Sequence, residues 1–141
     1  MTRIVETVRV GTPAGGLWRK IGRFGAVGDW HPMLAKVTSE GERKGALRWI
    51  EGRDGSRQTE RLLESSSEQR FYRYRMESSP MPVRDYVAEL RVEDNGDGTS
   101  TVVWSAEFEP TLEDFRTSEI IRDFLKVGLS SIEALQPRVL K

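Results

Sequence analysis

Apolar and polar residues alternate from Thr2 to Val10 in a stretch rich in Val and Thr, and that period of two predicts a strand. Thr12-Pro13 then reads as a helix start, with Thr12 as cap and Pro13 in the first turn. Leu17, Trp18 and Ile21 give a short helix its apolar stripe, which ends near Gly22. Phe24–Pro32 reads as a second short helical piece or turn, stopped by Pro32. From Leu34 the punctuation is that of strands: Ala35–Ser39, Ala46–Glu51, Arg57–Ser65, Arg70–Glu77, Arg84–Glu93 and Ser100–Glu109. Gly41–Gly45 and Gly52–Gly55 turn between the early ones, and Asn95-Gly96-Asp97-Gly98 is a strong hairpin signal. Strands at roughly 8–12-residue spacing argue a meander. The period then changes to that of a helix: Ile121, Phe124, Leu125, Gly128, Leu129, Ile132 and Leu135 share one face. A helix from Leu112 to Leu135 would run roughly 36 Å at 1.5 Å per residue, enough to cross a whole sheet. The order β-α-α-β6-α predicts one α+β domain over residues 1–141, a curved antiparallel sheet of about seven strands burying one face on a long terminal helix.

Hairpin arithmetic puts specific side chains on that buried face. A turn centred on Asp54 pairs Arg48 with Glu60, one centred near Ser67 pairs Glu60 with Tyr74, and a loop through Pro80 sets Tyr74 opposite Tyr86. Directly opposed residues touch, so Arg48, Glu60, Tyr74 and Tyr86 form a predicted row across four strands. Their same-face neighbours Ile50, Leu62, Tyr72, Met76, Ala88 and Leu90 are apolar or aromatic, which makes the face the inward one. A few polar groups converging in apolar surroundings are the usual make-up of a ligand site. The plainer alternative is a structural ion pair with two amphipathic core tyrosines. The strand Ser100–Glu109 leaves two registers open: burial favours Val102, Trp104, Ala106 and Phe108 inside, whereas a four-residue turn at Asn95–Gly98 aligns Ser105 and Glu107 with the row.

Composition narrows the function classes. Lys+Arg and Asp+Glu balance at 22 each, so no net field draws nucleic acid or anionic lipid. Phe71-Tyr72-Arg73-Tyr74-Arg75 accordingly reads as aromatics inward and arginines on a solvated face rather than as an RNA platform. With no cysteine and a single histidine, His31, neither a disulfide framework nor a Cys/His zinc site is expected, and no metal or other cofactor is implied. Gly11–Gly16 lacks the spacing of a phosphate loop. The N-terminus carries no secretory pattern and no apolar run approaches roughly 18 residues, so a cytoplasmic protein without stable membrane insertion is the expectation. A homodimer is left open.

Several short motifs, taken in order, carry a resemblance: Pro13…Leu17-Trp18…Phe24, Trp30-His31-Pro32, Gly45-Ala46-Leu47-Arg48, Thr59-Glu60-Arg61-Leu62, Tyr72…Tyr74, Tyr86 and Val103-Trp104-Ser105. From Val8 to Leu135 the chain resembles the polyketide cyclase/dehydrase-like branch of the START-related, birch-pollen-allergen-like superfamily. The resemblance implies a helix-grip fold and a hydrophobic ligand. The plant abscisic-acid receptors are similar over the same stretch. In them a basic residue after an aromatic contacts the ligand's carboxylate, and here His31 follows Trp30 in the matching place. Their pocket glutamate matches Glu60, their pocket tyrosine Tyr86, and their apolar wall positions Tyr74, Met76 and Val83. Histidine stands where they have lysine, and Gly52-Arg53-Asp54-Gly55 stands in place of their gate, so no hormone-receptor role is inferred.

Three functions follow as expectations. One is a carrier or sensor of a hydrophobic small molecule bearing a polar or acidic group, with Trp30, His31, Arg48, Glu60, Tyr74, Met76, Val83, Tyr86 and Phe124 at the site. The second is an aromatase/cyclase-type enzyme in which His31 and Glu60 move protons on a poly-β-keto substrate and Tyr86 polarises a carbonyl. The third is a co-chaperone-like interaction module. His31 has a plainer alternative as a cap on the turn before Pro32. Gly128 either makes room for a ligand or permits close helix contact, and Ser79-Pro80-Met81-Pro82 either rims the pocket or merely connects strands.

Overall fold

In the computed structural model, which describes residues 1–135, seven antiparallel strands form one sheet in the order β1-β7-β6-β5-β4-β3-β2. The strands are β1 (Thr2–Val10), β2 (Leu34–Ser39), β3 (Leu47–Gly52), β4 (Arg57–Ser66), β5 (Phe71–Ser78), β6 (Val83–Asp94) and β7 (Ser100–Pro110). β2 to β7 are a meander, and β1 pairs along its whole length with Ser100–Phe108 of β7. Between β1 and β2 lie α1 (Ala14–Ile21), a 3-10 turn at Phe24–Ala26 and α2 (Val27–Trp30). The last element among the described residues is α3 (Asp114–Glu133), 20 residues against the longer span read from the apolar stripe. The last residues of the expected 1–141 domain, 136–141, lie outside those described.

Two local details differ from the sequence reading. Pro13, not Thr12, caps α1: the first helical bond runs from the Leu17 amide to the Pro13 carbonyl at 2.9 Å, and no side chain caps the helix. Thr12 is instead buried, with its hydroxyl unpaired among the described residues. The second is Phe71. It is buried, but on the face it shares with Arg73 and Arg75, under the guanidinium groups of Arg91 (4.4 Å) and Arg73 (5.7 Å). That outer face carries ion pairs, Arg61 to Glu77 and Arg73 to Glu64 and Glu89 across strands and Arg75 to Glu77 within β5, so these arginines are matched by carboxylates.

α3 does not cover the concave face evenly. It packs on β1 and β7, where Glu6 holds Arg122 (3.3 Å) and Lys126 (3.6 Å). Ile121, Leu125, Leu129 and Ile132 are buried on that side with Ile4, Val102, Trp104 and Phe108 of the sheet. The open register of β7 is thereby settled. Asp94 pairs with Ser100, so the hairpin loop has five residues rather than four, and Ala106 stands opposite Ala88. The apolar face of β7 is buried, and Ser105 and Glu107 point away from the core. Over β3 to β6 the helix stands off, and this asymmetry makes the cavity.

Candidate functional site

A cavity of about 540 Å³ lies between the β3–β6 half of the sheet and α3. Leu34, Ile50, Met76, Met81, Ile121 and Phe124 supply apolar wall, and the polar residues Gln58, Glu60, Tyr74 and Tyr86 also line it. Glu60, Tyr74 and Tyr86 are buried, whereas Met33, Arg53, Asp54, Ser56, Pro80 and Ile120 are exposed, which distinguishes an inner end from a mouth. Pro80, Met81 and Pro82 all line the opening, so the proline-bracketed loop is its rim. Three of the chain's four methionines line the cavity, giving it walls that adapt to the shape of a guest.

The predicted row is only partly in register. Arg48 is opposite Glu60, but Glu60 faces Met76 and Tyr74 pairs with Leu62 and Ala88. The turn from Ser67 to Arg70 is centred later than Ser67, with Arg70 in the left-handed region (φ 58°), and a bulge between Leu62 and Glu64 absorbs one residue. The net displacement of each pair is two residues, so every residue keeps its face while its partner changes. Tyr86 lies inward and stacks on Phe108 at 5.9 Å.

At the inner end the hydrogen bonds form a chain. Arg48 Nε donates to Glu60 Oε1 (2.7 Å), and Gln58 Nε2 donates to Glu60 Oε2 (2.9 Å). Arg48 Nη1 donates to the Phe24 carbonyl (2.7 Å) and to the Tyr72 hydroxyl (3.2 Å). The guanidinium lies 4.1 Å from the Phe24 ring centre and 4.6 Å from that of Tyr74. Burial works against its charge, but Glu60, then Tyr72 and Tyr74, outweigh burial and raise the group above its ordinary value. Trp104 Nε1 donates to the Tyr74 hydroxyl (3.1 Å). Burial first, and the Glu60 charge after it, push the Tyr74 and Tyr86 phenols up, so both stay protonated near neutrality. Gln58 escaped the sequence reading, although its place two residues before Glu60 puts it on the same face.

The sequence reading set His31 beside Glu60. The structure places it behind Phe124 instead, and it does not line the cavity. Its ring stacks on Phe124 (4.1 Å, 22°) and lies edge-on to Trp104 (5.9 Å). Nε2 is 2.8 Å from the Phe124 carbonyl, and Nδ1 accepts the Met33 amide at 3.2 Å. A carbonyl can only accept and an amide can only donate, so the ring is the neutral Nε2–H tautomer with both nitrogens occupied. That geometry is a turn cap which also fastens α2 to α3. Trp30 is likewise buried away from the lining, edge-on to Trp104 at 5.4 Å. Arg48 stands behind Glu60, and Val83 lines a second hollow beside Met76 and Tyr86. Of the expected set, Glu60, Tyr74, Met76, Tyr86 and Phe124 meet in one space.

Gly128 explains the seating of His31. A Cβ there would lie 2.6 Å from His31 Cδ2 and 2.7 Å from Trp104 Cζ3. The missing side chain therefore lets the two rings approach the helix. Gly128→Ala should gain about 1 kcal/mol of helix propensity and lose more to overpacking, for a net destabilisation of about 1–2 kcal/mol. Urea denaturation measures this, and a stabilised variant would contradict the contact.

A sheet gripping one long helix, with a largely apolar cavity between them, defines a helix-grip fold. The chain belongs to the family described as polyketide cyclase / dehydrase and lipid transport, whose model it matches over residues 1–135. Among solved structures it is similar to the protein XoxI from Bacillus cereus, at 26% identity over 95% of this chain and 94% of that one, with a TM-score of 0.89. A protein from Thermobifida fusca is 30% identical over 94% of this chain and 91% of its own, with a TM-score of 0.83. The ZhuI aromatase/cyclase from Streptomyces sp. R1128 shares the fold at 16% identity and a TM-score of 0.74, covering 94% of this chain and 92% of that one. No curated protein matches the chain. Among the described residues no helix is long and apolar enough to cross a membrane.

Proposed function

We propose that the chain binds a mostly apolar small organic molecule in the cavity under α3 and holds its polar end at Glu60 and Tyr86. The observation that carries this reading is the cavity itself: apolar walls along most of its length and polar side chains at its closed end. Apolar area supplies affinity, and a few placed polar groups fix orientation. The family description, which joins cyclases with lipid transport, supports enclosure of a hydrophobic guest. A cyclase reading would rest on Glu60 and Tyr86, because both nitrogens of His31 are held by the backbone.

N-phenyl-1-naphthylamine, a neutral probe whose emission rises in apolar surroundings, tests the reading. It should bind saturably at one site. Met76→Trp sets an indole into the cavity and should weaken binding at least about tenfold, because the hollow it needs is filled. Circular dichroism confirms that the variant is folded. Absence of binding to the parent protein, or equal binding to the folded variant, would defeat the proposal.

A further inference from the structure

We propose that the cavity selects guests that bring a hydrogen-bond donor to its inner end, a hydroxyl, phenol or amine on an apolar skeleton, and that it turns away free carboxylates. This deepens the binding reading above and rests on it. The cations around the site stand off its inner end: Arg48 behind Glu60, Arg53 at the mouth, and Arg84 exposed in the second hollow beside Tyr86. Arg48 gives Nε to Glu60 and Nη1 to the Phe24 carbonyl and the Tyr72 hydroxyl, and it does not line the cavity. Arg53 is exposed at the mouth beside Asp54, with its Nε on the Pro32 carbonyl at 2.7 Å.

What faces the guest is the other end of the buried ion pair. Glu60 is 2% exposed and lines the cavity, each of its oxygens holding one donor and keeping a lone pair for another. Tyr86 lines the same space, and among the described residues its hydroxyl has no hydrogen bond, so it can both give and take one. A guest hydroxyl can therefore donate to Glu60 and accept from Tyr86. A guest carboxylate brings a second negative charge to an inner end whose buried cation is already paired with Glu60, so it is desolvated there with no cation of its own.

Three probes on one skeleton separate the outcomes: 2-naphthol, 2-naphthoate and 2-methylnaphthalene, titrated near neutral pH and followed by amide chemical shifts. Naphthol should bind about tenfold tighter than methylnaphthalene, and naphthoate the weakest of the three. Tyr86→Phe should lower naphthol affinity several-fold and leave methylnaphthalene unchanged. Glu60→Gln, where it remains folded, should narrow or reverse the gap between naphthol and naphthoate. Naphthoate binding as tightly as naphthol, or Tyr86→Phe shifting all probes equally, overturns the inference while leaving the cavity reading intact. Failure of all three probes to bind removes the cavity reading and this inference with it.

Discussion

Arg48→Ala should lower folding stability by about 3–5 kcal/mol, the range for removing one partner of a buried ion pair. The reason is what remains. Glu60 is 2% exposed and would keep a charge whose nearest cation had gone. The Phe24 carbonyl and the Tyr72 hydroxyl would lose their donor as well, and the Phe24 and Tyr74 rings would face a void where the guanidinium lay. The effect should appear as a lower urea midpoint with an unchanged slope. Arg48→Met combined with Glu60→Leu should recover part of the loss, because two apolar residues of similar volume leave no unpaired charge. Recovery would be incomplete, since Gln58 and the Phe24 carbonyl still lack partners. A loss below about 1 kcal/mol for Arg48→Ala would show that the pair is not desolvated as described. The folded double variant matters for function too. A buried pair replaceable by apolar residues is weak evidence for stability, which leaves the proposed hold on a guest's polar end as the use for its place beside the cavity.

The sequence shows which side chains face inward more readily than which ones meet. Period two in the strands and the stripe on α3 carry the first kind of information, and element bounds follow it closely: β1 is the expected strand, β4 and β7 differ by a residue at one end, and β5 and β6 by a residue at each end. Opposition depends on turn centres. Placing the centre at Ser67 moved Tyr74 from its partner Leu62 to Glu60, two residues along, so its face survived the error. The β6–β7 hairpin was open to an odd slip, which would have turned β7 over. There the burial of Trp104 and Phe108 decides, an outcome that burial energy favours but local turn chemistry does not specify. The turn-cap reading of His31 and the close-contact reading of Gly128 were both open from the sequence, but that the two residues meet was not legible, for a related reason. They lie 97 positions apart, and the contact between them exists only once α3 has docked. Glu60 and Tyr86 could be found because alternation alone puts them inside.

His31 should make the protein lose stability on mild acidification. Burial pushes the ring down to about 4, the Phe124 carbonyl pulling the other way, against the ordinary 6.5 that the unfolded chain recovers. Between those values the unfolded state binds the extra proton, so stability rises with pH through that window and is flat above it. Going from about pH 7.5 to about pH 5 should therefore remove about 2 kcal/mol, with more lost as pH falls towards 4. Asp54, Glu77, Glu89 and Asp97 are held below their usual range, so their contributions fade at lower pH and do not mask the histidine. His31→Gln can still offer an N–H to the Phe124 carbonyl but has nothing to titrate, and its stability should be nearly level over the same interval. Urea midpoints across pH for the two proteins make the comparison. If both slopes are equal, the ring is not the desolvated fastener between α2 and α3. If the wild-type slope is steeper by the stated amount, the lone histidine is neutral at pH 7 with its proton committed to the helix backbone. The polar chemistry of the cavity then falls to Glu60 and Tyr86.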